Sequence, residues 1–535
     1  MAKILNETKE NLIKEIQQRV EDKILEPSNA AVLIKLINKA ETSEEASIIA
    51  ALGTTYKKTG FHFDKRLEKH MMTNTIKYFK KNEALSFGEA KEGEPVHKLI
   101  IGDNYDALNN LLIQYKNKID VIYIDPPYSK DSMGNAAETN YNNAINRDNL
   151  LSMLYFRLQL AKQLMSDDGV IFCSIDDRNQ SYVKCLFDEV FGERNCVCNF
   201  MWKKTETPPS LSNKVRKKLE YVLCYTKHYN SSRIFAQGYV DGGDAPLLNN
   251  GNPLGILEFP VGSVHFNIPD GIYKYEDNHS IKLLKEVVVK DGVNATPLVA
   301  EAHFKWGKTN LQQEIDKGTY FLIKSKQFSI RYQKEGKATK LPSNIIDSDV
   351  LVGTNETAKT ELEKIGFNGG DFDFSKPVSL ITFLSKMGFW EQDDITVLDF
   401  FAGSGTTGHA VLELNKDGGK RTFILCQINE ITDVNPNGIA YDVTSKRLKR
   451  IMTGECYDGS KNFKWIEENK PYGGKLDVYE IAEVPNTCDK EGETPFDVID
   501  ETLYGKEKFT SMRDKIEWVC NNFEKTQWTA PDIND

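Results

Sequence analysis

The sequence is poor in cysteine and lacks the patterns that would give cysteine a structural role. Its 9 cysteines are scattered through 535 residues without a Cys-x-x-Cys pair. This distribution indicates neither a zinc site nor a disulfide framework. We therefore expect no bound metal and a reducing, cytoplasmic environment.

A run of apolar residues long enough to cross a bilayer is also missing. The first residues, Met1-Ala-Lys-Ile-Leu-Asn-Glu7, contain no apolar core of the kind that directs secretion. We expect no membrane partner and no export. What the chain has is 40% hydrophobic and 10% aromatic residues, which is enough to form sizeable cores in two or more domains.

A β-branched strand, Asp120-Val-Ile-Tyr-Ile124, runs directly into Asp125-Pro126-Pro127-Tyr128. The prolines fix φ and have no N–H to donate, so their carbonyl groups can accept from a substrate. An adenine amine attacks poorly until acceptors hold its N–H groups, and Asp125 and the Pro126 carbonyl can supply them. A fixed carboxylate there also stabilises the positive charge that develops on nitrogen as a methyl group arrives. Tyr128 offers a ring face on which an extruded base can stack. The segment predicts a clamp for the amino group of a planar base; the alternative is an ordinary proline turn.

A strand, a glycine turn and a helix follow about 270 residues downstream, in the order that binds nucleotide cofactors. Ile395 to Asp399 leads into Phe400-Phe-Ala-Gly-Ser-Gly-Thr-Thr-Gly408, which matches G-x-G-x-x-G. Asp399 would repel a dinucleotide pyrophosphate at the helix N-terminus. S-adenosylmethionine fits better, because its ammonium and sulfonium groups are cationic and its carboxylate suits the helix N-terminus. The alternative is that the glycines serve only a tight turn. The candidate cofactor-binding residues here are Asp399, Phe401, Gly403, Ser404, Gly405, Thr406, Thr407 and, for the ribose hydroxyls, Glu430.

Several separated segments are informative through their order: 97–104, 125–128, 168–177, 200–204, 220–225, 374–377, 400–408 and 427–430. Together they resemble the DNA amino-methyltransferases of the β arrangement, in which Asp-Pro-Pro-Tyr precedes the Phe-x-Gly-x-Gly cofactor segment. The chain is most similar to the Mod subunit of type III restriction-modification systems. The resemblance covers residues ~60 to ~450.

The resemblance implies roles for residues at matching positions. Asp103, with Asn104 beside it, corresponds to the acidic residue that accepts a hydrogen bond from the adenine amine of the cofactor. Lys376 and Pro377 fall where the family closes over the methionine end of the cofactor. Phe401 is the aromatic residue of the family's glycine motif.

Binding to DNA has to be local, because the formal charge of the chain is -10. Trp202 falls where the family has residues that wall the pocket for the flipped base, although a tryptophan on a strand is as easily a core residue. Basic residues flank the segment from Thr205 to Ser210 and predict a loop that grips the DNA backbone. The alternative is a solvated charged loop. The basic residues are Lys203, Lys204, Lys214, Arg216, Lys217 and Lys218.

Two acidic residues, Asp176 and Asp177, follow the predicted strand Val170 to Ile175. They either support the pocket or cap the following helix. We expect capping.

Pattern and composition divide the chain into five parts. Residues 1–60 have helical periodicity and predict a small helical domain. Residues 61–229 and 373–452 hold the catalytic half and the cofactor half of one methyltransferase domain. Residues 230–372 are rich in turns and short β-like runs and predict an inserted target-recognition domain. Residues 453–535 form a C-terminal α/β tail, which in the family serves subunit contacts.

The predicted fold class is α/β: a doubly wound, mostly parallel, Rossmann-like sheet of the S-adenosylmethionine-dependent methyltransferase type, with a circularly permuted motif order. Both site loops then lie at the carboxyl ends of adjacent parallel strands, where such sheets bind ligands. The strands near 197–203 and 221–226 follow each other without a full helix, which predicts an antiparallel edge.

These observations predict a site-specific methyltransferase that modifies N6 of a flipped adenine in double-stranded DNA. Cytosine-N4 methylation needs the same chemistry and stays open, although Asp at position 125, where cytosine enzymes have Ser, favours adenine. A nicotinamide-dependent oxidoreductase would leave Asp125 to Tyr128 without a role, and a non-catalytic DNA-recognition subunit would keep the motifs only as structure. An RNA substrate also stays open. The resemblance further implies a homodimer and a helicase-nuclease restriction subunit as partner; without that partner the chain would be an orphan methyltransferase.

Overall fold

In the computed structural model the chain forms two compact units, Met1–Phe235 with Ser343–Asp535, and Ala236–Pro342. The described residues are 2–21, 25, 27–52, 56–58, 61–63, 75–128, 147–207, 214–241, 243–277, 279–334, 337–486 and 493–523. Within these ranges, no helix combines the length and the apolar character that crossing a bilayer requires.

The regular elements alternate between helix and strand in the first unit and are mostly short strands in the second. The elements up to residue 226 are α1 (Ala2–Glu21), α2 (Pro27–Lys39), α3 (Ser43–Leu52), β1 (Tyr56–Lys58), β2 (Phe61–Phe63), β3 (Thr75–Lys81), β4 (Val96–Ile101), α4 (Asn104–Tyr115), β5 (Ile119–Ile124), α5 (Arg147–Leu164), β6 (Met165–Ile175), α6 (Gln180–Phe187), β7 (Cys196–Lys203) and β8 (Leu219–Thr226).

The second unit contains β9 (Tyr239–Asp241), β10 (Ala245–Pro246), β11 (Gly255–Phe259), β12 (Val264–Phe266), β13 (Gly271–Tyr273), β14 (Lys282–Leu283), β15 (Val287–Lys290), β16 (Val293–Asn294), β17 (Leu298–Ala302), α7 (Lys308–Asp316), β18 (Tyr320–Ile323), β19 (Ile330–Gln333) and β20 (Lys337–Thr339). The first unit then continues with β21 (Ile345–Ile346), α8 (Asn355–Lys364), α9 (Val378–Met387), β22 (Thr396–Asp399), α10 (Thr406–Leu414), β23 (Thr422–Gln427), α11 (Lys446–Thr453), α12 (Trp465–Glu468), β24 (Lys475–Pro485), α13 (Pro495–Val498) and α14 (Met512–Phe523).

A 10-stranded sheet organises the first unit, with the strand order β21-β7-β8-β6-β5-β22-β23-β4-β24-β3. The neighbours from β6 to β24 in this order are all parallel, whereas β8 and β3 pair antiparallel with their neighbours. β22 and β23 lie between β5 and β4, although they come almost 300 residues later in the chain. The predicted α/β class, the permuted order and the antiparallel pairing of β7 with β8 are confirmed.

Both faces of this sheet are covered, because its central strands are apolar on both sides. One core contains Leu99 and Val121 of the sheet and packs α9, α10 and α11 against it. The other core contains Ile100 and Ile122 and packs α4, α5, α6 and α14. Residues that alternate along a strand thus enter opposite cores, which makes the sheet doubly wound.

The second unit is largely antiparallel. Its larger sheet has the order β10-β19-β18-β12-β16-β15-β13, and a smaller one has the order β11-β17-β14. A core of its own contains Phe259, Phe321 and Phe328. This independent core explains why the segment is a separate unit.

The predicted domain boundaries differ from the observed units in two places. The predicted insert, 230–372, is too long at its C-terminal end: β21 pairs in parallel with β7 of the large sheet, so residues from 343 onwards belong to the first unit. The predicted C-terminal part, 453–535, is not a separate tail, since β24 is inserted between β4 and β3. Pairing between strands distant in sequence decides both points, and it leaves no local signal. The helices predicted within 1–60 correspond to α1, α2 and α3, which enclose a small core.

The C-terminal segment is also fastened by Tyr504. Its buried hydroxyl donates to Asn110 Oδ1 at 2.8 Å and accepts from the Phe79 backbone N–H at 2.7 Å. We expect Tyr504→Phe to lower the free energy of unfolding by about 1–3 kcal/mol, because the Phe79 N–H is left without a partner. Urea denaturation measures this. Tyr457→Phe removes an exposed hydroxyl bond to the Leu85 carbonyl and is the matched control; equal losses in the two variants would contradict the assignment.

Candidate functional site

A cavity of about 530 Å³ lies in the first unit at the carboxyl ends of its parallel strands. Asp103 follows β4, Asp125 follows β5, Asp399 ends β22 and Gln427 ends β23. The residues predicted from the sequence that line this cavity are Asp103, Asn104, Asp125, Pro126, Pro127, Tyr128, Lys204, Lys376, Asp399, Phe401, Gly403, Ser404, Thr406, Thr407 and Glu430. The tertiary structure therefore brings the two predicted site loops into one cavity.

Both carboxylate oxygens of Asp125 are engaged. The Tyr128 hydroxyl donates to Oδ1 at 2.8 Å, and Lys376 Nζ donates to Oδ2 at 2.7 Å. Lys376 Nζ also donates to the Tyr128 hydroxyl at 3.3 Å. The turn after β5 therefore holds the carboxylate in a fixed orientation, with the aromatic ring beside it.

Burial and opposite charge compete at this pair. Burial raises the pKa of Asp125, and the Lys376 ammonium offsets this only in part. Burial alone would lower the pKa of Lys376, but the carboxylates of Asp125 and Glu220 raise it above its ordinary value. Lys376 is thus a cation at neutral pH although its side chain is only 7% exposed.

The glycine loop forms because its backbone turns sharply between β22 and α10. Gly403 and Gly405 have φ of 51° and 82°, which L side chains rarely adopt. A Cβ atom on Gly403 would lie 3.0 Å from the Phe372 ring, so the loop also passes close to a cavity residue. The Gly403 N–H donates to Gln427 Oε1 at 2.6 Å, which ties the loop to β23.

The Asp399 carboxylate stabilises the same loop by accepting hydrogen bonds from two of its residues. It accepts from the Phe401 N–H at 2.9 Å and from the Thr407 hydroxyl at 2.5 Å. Burial raises the pKa of Asp399 to about 7, although these two hydrogen bonds favour the ionised form. A cation that entered the cavity beside Asp399 would restore its negative charge.

Arg447 on α11 is a residue of the site that the sequence patterns missed. It is fully buried and donates through one terminal nitrogen to the hydroxyls of Ser404 and Thr406, both at 2.9 Å. The Ser375 hydroxyl lies 2.9 Å from Ser404 Oγ. Burial lowers the pKa of Arg447 to about 10, so the group stays charged at neutral pH. Arg447 therefore links the glycine loop to the segment that carries Lys376.

A second missed cation, Arg157 on α5, organises the start of α4. It forms an ion pair with Asp103 at 3.0 Å and donates to Asn104 Oδ1. Asp103 also caps α4 by accepting from the Tyr105 N–H at 2.7 Å. The carboxylate predicted to meet an adenine amine is therefore oriented by two donors of the protein.

Phe374 contributes an aromatic surface at the cavity. Its side chain is 58% exposed and its φ is 63°, a left-handed conformation that is uncommon for a bulky residue. Strained, exposed residues of this kind concentrate at functional sites. A local signal existed, since Phe374 precedes Ser375-Lys376-Pro377 in the sequence.

Some predicted residues do not line the cavity. Trp202 is fully buried in the core, where its indole N–H donates to the Gly353 carbonyl at 3.0 Å, so of the two alternatives it takes the core position and does not itself line the cavity. This hydrogen bond joins β7 to Gly353, which comes 151 positions later in the sequence. Pro377 and Gly405 are the N-cap residues of α9 and α10, and neither lines the cavity.

The basic residues of the predicted loop differ in their ion-pair partners. Lys204 lines the cavity and pairs with Glu220 at 2.9 Å, whereas Lys203 pairs with Glu206 at 2.7 Å. Lys217 pairs with Asp177 at 3.0 Å. Residues 214–219, including Lys214, Arg216, Lys217 and Lys218, are exposed, and residues 208–213 lie outside the described ranges.

Asp176 and Asp177 do not cap a helix. Asn179 is the N-cap of α6 and makes no capping bond through its side chain. Asp176 lines the cavity and forms an ion pair with Arg178. The prediction of capping was wrong because a turn separates the strand from the helix.

Comparison with known proteins shows that a family model matches the part of the chain that contains Asp125 and the glycine loop. The model of a family described as DNA methylase matches residues 119–432, which is more than half of the chain. The model of an uncharacterised conserved protein family matches residues 9–121.

Individual relatives are DNA-modifying proteins. The Mod subunit of the type III restriction-modification enzyme StyLTI of Salmonella typhimurium is 30% identical over 395 residues, covering 64% of this chain and 54% of that protein. The EcoPI Mod subunit of Escherichia phage P1 is 27% identical, covering 66% of this chain and 62% of that protein. The type II methyltransferase M.KpnI of Klebsiella pneumoniae is 28% identical, covering 68% of this chain and 88% of that protein. The chain thus spans about half to two thirds of the length of these Mod subunits.

The raised pKa of Asp399 predicts a dependence of stability on pH. The folded value of about 7 lies above the ordinary 3.8, so the folded state binds this proton more tightly than the unfolded chain does. The resulting stabilisation is complete below the ordinary pKa and is lost as pH rises through about 7. Relative to Asp399→Asn, we expect the wild type to lose about 1.4 kcal/mol of unfolding free energy between pH 6 and pH 8. Urea denaturation at both pH values measures this difference, and parallel pH profiles of the two proteins would contradict it.

Proposed function

Because the protein belongs to the DNA methylase family, we propose that it transfers a methyl group from S-adenosylmethionine to N6 of a flipped adenine in double-stranded DNA. The observation that carries the proposal is the meeting of Asp125-Pro126-Pro127-Tyr128 and the glycine loop in one cavity. A site for an amine and a site for a methyl donor have to be adjacent for direct transfer.

The amine of the base is held by acceptors of the β5 turn. Asp125 accepts one N–H, and the Pro126 carbonyl, on a backbone without a competing N–H, accepts the other. As the bond between the nitrogen and the methyl group forms, the bond between sulfur and the methyl group breaks, and the nitrogen gains positive charge until it loses a proton to solvent. The Asp125 carboxylate is already oriented by Tyr128. A preoriented anion stabilises that charge more than it stabilises the neutral amine.

The cavity residues fit the methyl donor in charge and shape. Asp399 is a carboxylate whose pKa is raised by burial, so a cation beside it would favour its ionised form, and the N-terminus of α10 favours an anion. S-adenosylmethionine carries an ammonium, a sulfonium and a carboxylate. Asp399 matches its cationic groups, and the N-terminus of α10 matches its carboxylate. Asp103, Asp399 and Glu430 would hold its polar groups, and Lys376 borders the site. When bound, S-adenosylmethionine supplies a methyl group activated by the positive sulfur.

Two aromatic residues suit a base that has left its duplex. Tyr128 lies directly beside the Asp125 carboxylate, and Phe374 exposes its ring at the cavity. Stacking on such rings stabilises an unpaired base. We propose Tyr128 and Phe374 as its stacking partners.

Contact with the DNA backbone is proposed for the exposed basic residues 214–218, and base recognition for the second unit. Lys214, Arg216, Lys217 and Lys218 lie on a segment that ends where β8 begins, at the strand that carries the cavity residue Glu220. Positive residues near a base pocket favour phosphate contacts.

The relatives named as Mod subunits support a place for this chain in a type III restriction-modification system. We propose a homodimer and a helicase-nuclease restriction subunit as partner, with the C-terminal residues at the subunit contacts. Light scattering of the purified protein tests the dimer. A helicase and nuclease reading frame next to the gene would support the partner, and a solitary gene would indicate an orphan enzyme.

Transfer to adenine is tested with purified protein, labelled S-adenosylmethionine and DNA of mixed sequence. We expect N6-methyladenine after digestion to nucleosides and mass spectrometry. Asp125→Asn should lower the rate by about 100-fold or more, because the amide cannot offer the same negative charge to the developing cation.

Asp168→Asn is the control, because Asp168 is exposed and does not line the cavity; its rate should equal that of the wild type. If the digest contained N4-methylcytosine, the substrate base would be cytosine and not adenine. Unlabelled DNA, or full activity of Asp125→Asn, would contradict the proposal. Sequencing of DNA from a host that expresses the chain would give the recognition sequence.

A further inference from the structure

The cavity contains a further buried carboxylate, Glu220 on β8, to which the motifs assign no role. Lys204 Nζ donates to its Oε1 at 2.9 Å. Its Oε2 is buried and has no hydrogen-bond partner among the described residues. A buried carboxylate oxygen without a hydrogen bond is unfavourable unless a cation lies near it.

Lys376 forms a longer ion pair with this oxygen of Glu220 than with Asp125. Its Nζ lies 2.7 Å from Asp125 Oδ2 and 3.5 Å from Glu220 Oε2. The rings of Tyr128 and Trp202 flank the ammonium, with centroids 5.5 Å and 5.9 Å away. Lys376 therefore has two carboxylates within reach and aromatic walls beside it.

The position of Lys376 conflicts with recognition of an amine by Asp125. An ammonium and a substrate N–H are both donors, and the ammonium already occupies Asp125 Oδ2. The ion pair also cancels much of the negative charge that would stabilise a cationic nitrogen. Asp125 therefore stabilises the positive charge on the amine most strongly after the ammonium has moved.

We propose that Lys376 is a movable counter-ion, which neutralises Asp125 while no base is present and shifts to Glu220 Oε2 when a base amine donates to Asp125. Glu220 is then a positioning residue that acts through Lys376. Lys204 holds the other oxygen of Glu220 and so keeps Oε2 directed at Lys376. Before the shift, Lys376 pairs with Asp125 and Lys204 pairs with Glu220. After the shift, the base amine donates to Asp125, and both lysines pair with Glu220.

This inference rests on the proposed function, so its test measures binding of the amine without methyl transfer. The wild-type recognition sequence is placed in two duplexes, one with the target adenine and one with purine, which lacks the amine. Affinities for the full-length protein are measured with S-adenosylhomocysteine present. We expect the wild type to bind the adenine duplex about tenfold more tightly.

Glu220→Gln should lose this preference, because the ammonium then has no second carboxylate and stays on Asp125. Glu220→Asp keeps the charge and should keep the preference. Lys376→Met removes the ammonium, so both Lys376→Met and the double variant Lys376→Met/Glu220→Gln should prefer adenine. This reversal in the double variant is a result that a purely structural role of Glu220 does not produce.

The matched control is Glu501→Gln, which breaks a buried ion pair with Lys515 at 3.2 Å away from the cavity; it should keep the wild-type preference. The inference is overturned if Glu220→Gln keeps the preference, if Glu220→Asp also loses it, or if either variant with Met at position 376 loses it. Absence of both adenine preference and methylation in the wild type would instead reject the proposed function.

Discussion

The site depends on the parallel pairing of β5 with β22. The register joins Val121 to Val397 and Ile122 to Leu398, so both strands end at the same edge of the sheet. The turn after β5 carries Asp125, and the turn after β22 carries the glycine loop. Ligands bind at this edge in open α/β sheets because the strand ends leave a crevice there. The segments that lie between the two strands in the sequence do not disturb the pairing, since residues 236–342 have a core of their own.

Buried charge is the second constraint. Asp125, Lys376, Glu220 and Lys204 form a chain of alternating charges at the cavity. Removing one member would leave an uncompensated charge in a site with little water. Arg447 and Asp399 hold the glycine loop from two sides through hydroxyl and backbone groups. Rigid loops at the end of a rigid sheet give the fixed dipoles and charges that amine chemistry requires.

Sequence reasoning located the parts of the candidate site that consist of consecutive residues. The Asp125 turn and the glycine loop were both located from a strand followed by residues with special backbone requirements. It was inaccurate where side chains from distant strands meet. Both readings of Trp202 stayed open until the fold placed it in the core, where its N–H donates to the carbonyl of Gly353, 151 positions later. Arg447, Arg157 and Glu220 were missed as site residues, because a charged residue on a helix or strand has no local signal for burial.

The sequence by itself determined the elements and the chemical character of the two loops, since proline, glycine and β-branched residues act on their own backbone. It also indicated the permuted order, because that order is written in the succession of motifs. Only the tertiary structure decided where the second unit ends, that β24 joins the sheet, and that Lys376 lies between Asp125 and Glu220. The physical reason is the distance along the sequence over which each interaction acts. Backbone preference acts over a few residues, whereas the partner of a buried charge or of a strand edge is chosen by packing across the whole fold.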